Sequence, residues 1–232
     1  MAQVIDKIQW VKPPLQTRSQ DNLQRMLDAA EEIIAAKGFE QATVSEIVRQ
    51  AGTSVGAFYG RFREKDALLG CLHDRFCEEA YATIDSVLDP ARWEGCTAEE
   101  IVSATIPFLV EVYRQRVDLI RAFIMRGASD DDFCRRWLPL NAHLTGSFRD
   151  LLLMRSEAIS HFEPSLAIEM ALQMTLSTLD RLTLFRVEEV GVIELDDPRL
   201  PRELVRAVLS YLGVDGPPLE FRHDANHTEP GT

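Results

Sequence analysis

The chain predicts an all-α protein in which a small three-helix unit built around a helix-turn-helix precedes a larger helical part. Three observations carry that expectation. Apolar residues recur at spacings of three and four along most of the 232 residues, the period of a helix with one buried face. Glycines, prolines and capping residues fall where those stripes stop. No run of alternating β-branched residues competes with them. With 46% hydrophobic and 27% charged residues, the chain has enough apolar surface to bury a substantial core.

Residues 1–17, with Pro13 and Pro14 and no sustained period, read as a flexible tail. From about Ser19, the stripe Leu23, Met26, Leu27, Ala30, Ile33 and Ile34 predicts a first helix that stops at Lys37 and Gly38. Thr43 with Glu46 three residues later is a capping-box pattern opening a second, two-turn helix through Ile47 and Val48, which stops at Gly52. After the tight turn "AGTS", Ser54 is placed to cap a third short helix reaching about Phe62. A fourth starts near Lys65 and carries Leu68, Leu69, Leu72, Phe76 and Ile84 to the stop at Asp89 and Pro90. Further helices are predicted at 97–116, with a kink at Pro107, and at 117–128, 131–157, 164–187 and 201–212. Residues 214–232 are polar and proline-rich, the composition of a disordered tail.

The stretch "SVGAFYG" raises a specific question, because a glycine inside a helix costs about 1 kcal/mol relative to alanine and this short helix carries Gly56 and Gly60. At 100° per residue Phe58 and Phe62 share one side, with both glycines roughly opposite. The aromatic side is expected to enter a small core. The other side, bare of bulk, lets another body approach the backbone, and Gln50, Tyr59, Arg61, Arg63 and Lys65 around it suit an anionic partner. Packing against another helix of the same chain is the competing explanation of the glycines.

Residues 26–69, "MLDAAEEIIAAKGFEQATVSEIVRQAGTSVGAFYGRFREKDALL", resemble the N-terminal pattern of the TetR family of transcriptional regulators, with Gly38, Thr43, Ala51-Gly52, Ser54-x-Gly56, Tyr59, Phe62 and Lys65 at matching spacings and similarity extending to about residue 79. The resemblance implies a DNA-binding domain over residues 18–66, and a ligand-binding and dimerisation domain over 67–213. It implies a recognition helix in the major groove of double-stranded DNA, with Thr53, Ser54, Val55, Gly56 and Ala57 facing bases and phosphates and Tyr59, Gly60 and Arg61 beside them. Thr43, Val44, Ser45 and Lys65 would reach flanking phosphates, and Arg18 would do so from the tail. Two departures stand out: Val55 can offer only an apolar contact where the family often has a polar or basic residue, and Gly60-Arg61 replaces an aromatic-histidine pair.

The formal charge is −12, and residues 1–66 are neutral while the remainder, with 16 basic and 28 acidic residues, carries the whole excess. Residues 164–187 are apolar on more than one face, as befits a helix shared with a second subunit, with 201–212 as companion in a homodimer. Phe108, Phe123, Met125, Trp137, Met154, Met170 and Met174 are candidates to line a pocket for a small apolar or amphipathic ligand, with His143, Arg121 and Asp180 as polar anchors. Core packing is the plainer reading for each of these alone.

No nucleophile elbow, phosphate-binding glycine loop or HExxH spacing occurs, so no enzyme and no cofactor is expected. Cys71, Cys77, Cys96 and Cys134 form no CxxC pair; His73 and Cys77, four apart, are two ligands where a metal needs more. With no run of about 18 uncharged apolar residues and an N-terminus interrupted by Asp6 and Lys7, the expected location is the cytoplasm. The function implied is a regulator, by the family's common mode a repressor, that leaves a palindromic operator when it binds a ligand. An activator, or a DNA-binding dimer with no small-molecule ligand, are the alternatives.

Overall fold

A computed structural model describes residues 21–185 and 193–214. The expected tails, apart from Val214, and Arg18 lie outside the described residues, as do residues 186–192, which include the last two residues of the helix expected over 164–187. Among the described residues the fold is all α, with no strand.

The first three helices are α1 (Asp21–Lys37), α2 (Val44–Gln50) and α3 (Val55–Tyr59). Local chemistry sets each boundary. Gly38, at φ 82°, ends α1 in the left-handed region that L side chains resist. Thr43 and Glu46 form the full capping box of α2. Its other end is a Schellman motif: Gly52 lies at φ 62°, the Thr53 N–H reaches the Val48 carbonyl at 2.9 Å and the Gly52 N–H the Arg49 carbonyl at 3.3 Å. Ser54 caps α3 by accepting the Ala57 N–H at 3.1 Å, a contact worth about 1 kcal/mol. Instead of running to Phe62, α3 ends at Tyr59, although the chain winds on until the Phe62 N–H meets the Phe58 carbonyl at 2.8 Å.

Next comes α4 (Lys65–Val87), a helix of 23 residues and about 35 Å. A 3-10 turn (Pro90–Trp93) leads to α5 (Ala98–Gln115), continuous through Pro107, and then α6 (Val117–Gly127). The single helix expected over 131–157 is divided into α7 (Asp131–Arg135), α8 (Trp137–Leu153) and a 3-10 turn (Ser156–Ala158). Asp130, whose side chain accepts the Asp132 and Phe133 N–H groups, caps α7. The last helices are α9 (Pro164–Leu184) and α10 (Leu200–Leu212).

One apolar cluster runs from Met26 in α1 to Leu212 in α10. The first three helices are therefore not a bead on a string. Helix α1 packs on α2, α4 and α6, while α4 packs on α8. Polar ties reinforce the junction: Arg75 of α4 pairs with Asp28 at 2.6 Å and Glu31 at 2.8 Å on α1, and Arg126 of α6 reaches Asp66 in the first turn of α4 at 2.6 Å.

Candidate functional site: a helix-turn-helix surface and an apolar cavity

Phe58 is fully buried and Phe62 nearly so, their ring centroids 4.9 Å apart. Burying each such ring contributes about 1.5–3 kcal/mol and turns the opposite side of α3 outward. Val55 is 44% and Tyr59 56% exposed, and Ser54, Gly56, Gly60 and Arg61 are exposed as well, with Thr53 and Ala57 half-buried. A methyl group on Gly56 would meet nothing closer than the Ser54 hydroxyl at 3.8 Å, and on Gly60 only the Gly56 and Ala57 carbonyls, at 3.2 and 3.7 Å. Among the described residues no other helix occupies the space before the glycines, so packing against those helices does not explain them.

At the start of α2, Val44 is half-buried against the core and Ser45 is exposed. Thr43 is exposed but spends its hydroxyl on Glu46, which also takes the Lys37 ammonium at 2.6 and 2.7 Å. Lys37 first, then Thr43, holds the Glu46 carboxyl down at about 2. Gln50 is likewise engaged, donating to Glu32.

Lys65, expected at a flanking phosphate, is engaged within the fold. Its ammonium donates to the carbonyls of Phe39, Glu40 and Ala42 at 2.9, 3.2 and 3.2 Å and sits 4.4 Å over the Phe39 ring. All three N–H donors are spent on the loop between α1 and α2, so the side chain organises that loop rather than presenting a charge for phosphate. Arg61 and Arg63 remain exposed beside the glycine face.

The second feature is an apolar cavity of about 120 Å³ between α4, α5, α8 and α9. Its wall includes Phe76, Ile84, Leu109, Ile120, Phe148 and Leu172. Of the expected ligand-facing residues, Phe108 and Trp137 line it. Phe123 is instead fully buried in an aromatic cluster with Phe76, Phe133, Trp137 and His73. Met125 and Met154 are 60% and 64% exposed, and Met170 and Met174 also face outward. His143 turns to Asp85, at 2.7 Å. Arg121 donates to the Thr183 carbonyl and pairs with Asp118. Asp180, outside the wall, accepts the Tyr113 hydroxyl at 2.8 Å. The periodicity that marks a residue as apolar is the same for core, cavity and surface, and the four methionines stand outside this cavity.

The wall residues that sequence reasoning missed, such as Thr83, Thr105, Tyr113 and Asn141, carry no spacing signal. The two threonines return their hydroxyls to helix carbonyls, Thr83 to Glu79 and Thr105 to Ile101. Burial pushes the Tyr113 hydroxyl well above its ordinary pKa, with Asp180 adding to the rise. Cys77 lies 3.7 Å from both His73 ring nitrogens, and burial raises its thiol to about 11. Among the described residues no group of three His, Cys, Asp or Glu is placed to hold a metal ion, and no helix is long and apolar enough to cross a membrane.

Outward on α9, Leu166, Met170 and Met174 form an exposed apolar row, while Ala167, Ile168, Ala171, Leu172 and Leu179 face the core. Tyr211 on α10 and Phe162 before α9 are also exposed.

Residues 26–70 match the family of bacterial regulatory proteins described as the tetR family. An uncharacterized HTH-type transcriptional regulator of Bacillus subtilis is 46% identical over 46 residues, 20% of this chain and 24% of that protein, so the chain spans about a quarter of that relative. An HTH-type transcriptional repressor of Mycobacterium tuberculosis is 28% identical over 144 residues, 60% of this chain and 71% of the relative. The fold is similar to that of a TetR-family regulator from Mesorhizobium loti, with a TM-score of 0.68 and 21% identity over 87% of this chain and all of that one. It is similar too to FadR of Bacillus subtilis, solved in complex with stearoyl-CoA, with a TM-score of 0.60 and 20% identity over 82% of this chain and 98% of that one.

Proposed function

We propose that this chain, whose residues 26–70 match the tetR family of bacterial regulatory proteins, is a homodimeric repressor that releases a palindromic operator when a small apolar molecule enters the cavity between α4, α5, α8 and α9. The observation that carries the DNA-binding half is the exposed glycine face of α3, against which no other described helix packs, flanked by Tyr59 and Arg61. Thr53, Ser54, Val55, Gly56, Ala57, Tyr59, Gly60 and Arg61 form the major-groove surface, with Val44 and Ser45 at the adjacent DNA backbone and Thr43, whose N–H and hydroxyl both go to Glu46, holding that helix start in place. Ser54 caps α3 through its oxygen lone pair and keeps its hydroxyl proton to donate. Residues up to 66 read DNA and 67–213 sense the ligand and dimerise.

Helix α4 is the coupling element. Its first turns hold the DNA-binding helices through Lys65 and Arg75, Asp66 ties its start to Arg126 of α6, and its later turns, from Phe76 to Leu88 just beyond its end, supply cavity wall. A ligand that fits only one setting of α4 shifts the spacing of two recognition helices away from two half-sites about one helical turn apart. The exposed row Leu166, Met170 and Met174, with Tyr211, is the proposed dimer face. Its double substitution Leu166→Glu with Met174→Glu is expected to give a folded monomer that no longer binds operator.

Selection of genomic fragments followed by footprinting tests the whole reading. A two-fold symmetric site protected by a dimer supports it. An asymmetric site protected by a monomer, or no retained duplex, overturns it.

A further inference from the structure

Resting on the reading of the cavity as the effector site, we propose that it takes an uncharged, largely apolar molecule with a single hydrogen-bonding group, which meets Asn141 at the cavity rim, and that it discriminates against carboxylates and coenzyme A thioesters.

The wall decides this. Among the 20 described residues of the wall there is no Lys, Arg, His, Asp or Glu. A carboxylate placed there would lose its hydration with no cation in return, and such a group stays in water instead. The wall's hydroxyls are committed: Thr83 and Thr105 donate to helix carbonyls and Tyr113 donates to Asp180. Asn141 differs. It is exposed at the rim, and its carboxamide makes no hydrogen bond to the described residues. Trp137, one turn earlier on the same face of α8, likewise leaves its indole N–H without a bond to them. A ligand hydroxyl or carbonyl at this end is therefore met by a neutral donor and acceptor, and the remainder of the ligand by aliphatic and aromatic carbon.

Two further facts fit this chemistry. The part of the chain after residue 66 carries the whole net charge of −12, a field that repels a polyphosphate tail. One guanidinium beside the wall, that of Arg116 over the Phe76 ring at 5.7 Å, is paired with Glu79 at 3.0 Å. The cavity's 120 Å³ compares with the roughly 150 Å³ of an engineered cavity that accepts benzene. It holds a short alkyl or single-ring body, with the polar group left at the rim.

Three probes of equal chain length separate the possibilities: octanol, octanoate and octanoyl-CoA, titrated at pH 7.5 by calorimetry into the intact protein. Octanol is expected to bind at least tenfold more tightly than octanoate or octanoyl-CoA. Asn141→Leu is expected to weaken octanol several-fold and leave octane unchanged. Octanoate or octanoyl-CoA binding as tightly as octanol, or no binding of octanol, overturns the proposal. Ala80→Phe, which fills the cavity, is expected to abolish octanol binding; if that variant does not fold, Leu144→Trp serves the same purpose, and undiminished octanol binding in the folded filled protein also overturns it. Operator affinity is measured separately. Preferential octanol binding with unchanged operator affinity leaves this inference standing and removes the ligand-release step of the proposed function.

Discussion

The glycine face of α3 and the cavity beneath α4 are both places where side-chain bulk is missing, yet they are made in opposite ways. On α3 the gap lies on the outside, produced by two glycines and held open because Phe58 and Phe62 anchor the other side. In the cavity the gap lies inside, and no glycine announces it; it is what remains where side chains from five helices fail to meet. A local deletion of bulk is written at one position. A packing defect is written nowhere in particular. The polar groups follow the same division, since the helix-turn-helix spends many of its own on holding backbone, while the cavity wall has almost none.

The comparison can be broken most forcefully at its anchor. Phe58→Ala removes a fully buried ring and is expected to cost about 3–5 kcal/mol, abolishing DNA binding. If the cavity is an independent device within the shared core, the surviving folded fraction still shows a ligand-induced thermal shift at lower temperature. Denaturant melts with and without octanol measure both.

A smaller effect is expected at Lys65. Lys65→Ala leaves the Phe39, Glu40 and Ala42 carbonyls without their ammonium, a loss of about 2 kcal/mol for hydrogen bonds to a charged donor. DNA affinity then falls through a displaced loop, with the slope of log affinity against log salt unchanged. A slope shallower by about one unit would instead restore the side chain as a phosphate contact.

Gly60→Ala comes next. Lower chain entropy in the unfolded state favours alanine by about 0.4–1 kcal/mol, and the backbone at φ −70° accepts it. The new methyl group, however, sits 3.2 Å from the Gly56 carbonyl, so the net stability change is expected to stay within about 0.5 kcal/mol. Operator affinity should nonetheless drop, because the methyl group stands on the face DNA approaches. Unchanged affinity removes Gly60 from the interface.

The smallest effect concerns Glu46. Its folded pKa of about 2, against an ordinary 4.5, means that the unfolded chain takes up this proton first as pH falls. The stabilisation is therefore complete above about pH 4.5 and is lost as pH drops toward 2. Carboxyl titration by NMR should find the depressed value in the wild-type protein, and Lys37→Met should raise it toward the ordinary value. No change in that variant would transfer the effect to Thr43.

What the amino-acid sequence determined by itself is whatever depends on neighbours a few residues apart. The helical period, the capping box at Thr43, the Schellman turn at Gly52, the cap at Ser54 and the opposed glycine and phenylalanine faces all act within one or two turns, so their residues sit at fixed spacings. The family pattern is made of these same positions. Tertiary structure alone decided which apolar residues face a void: Phe108 and Trp137 border it, Phe123 is packed solid, and Met125, Met154, Met170 and Met174 point outward. It also decided that Lys65 would close on three carbonyls 23 to 26 positions earlier in the chain. Apolar side chains carry no mark of their partner, and a cation takes the acceptors that folding brings within reach. Such contacts exist only once helices distant in sequence have packed.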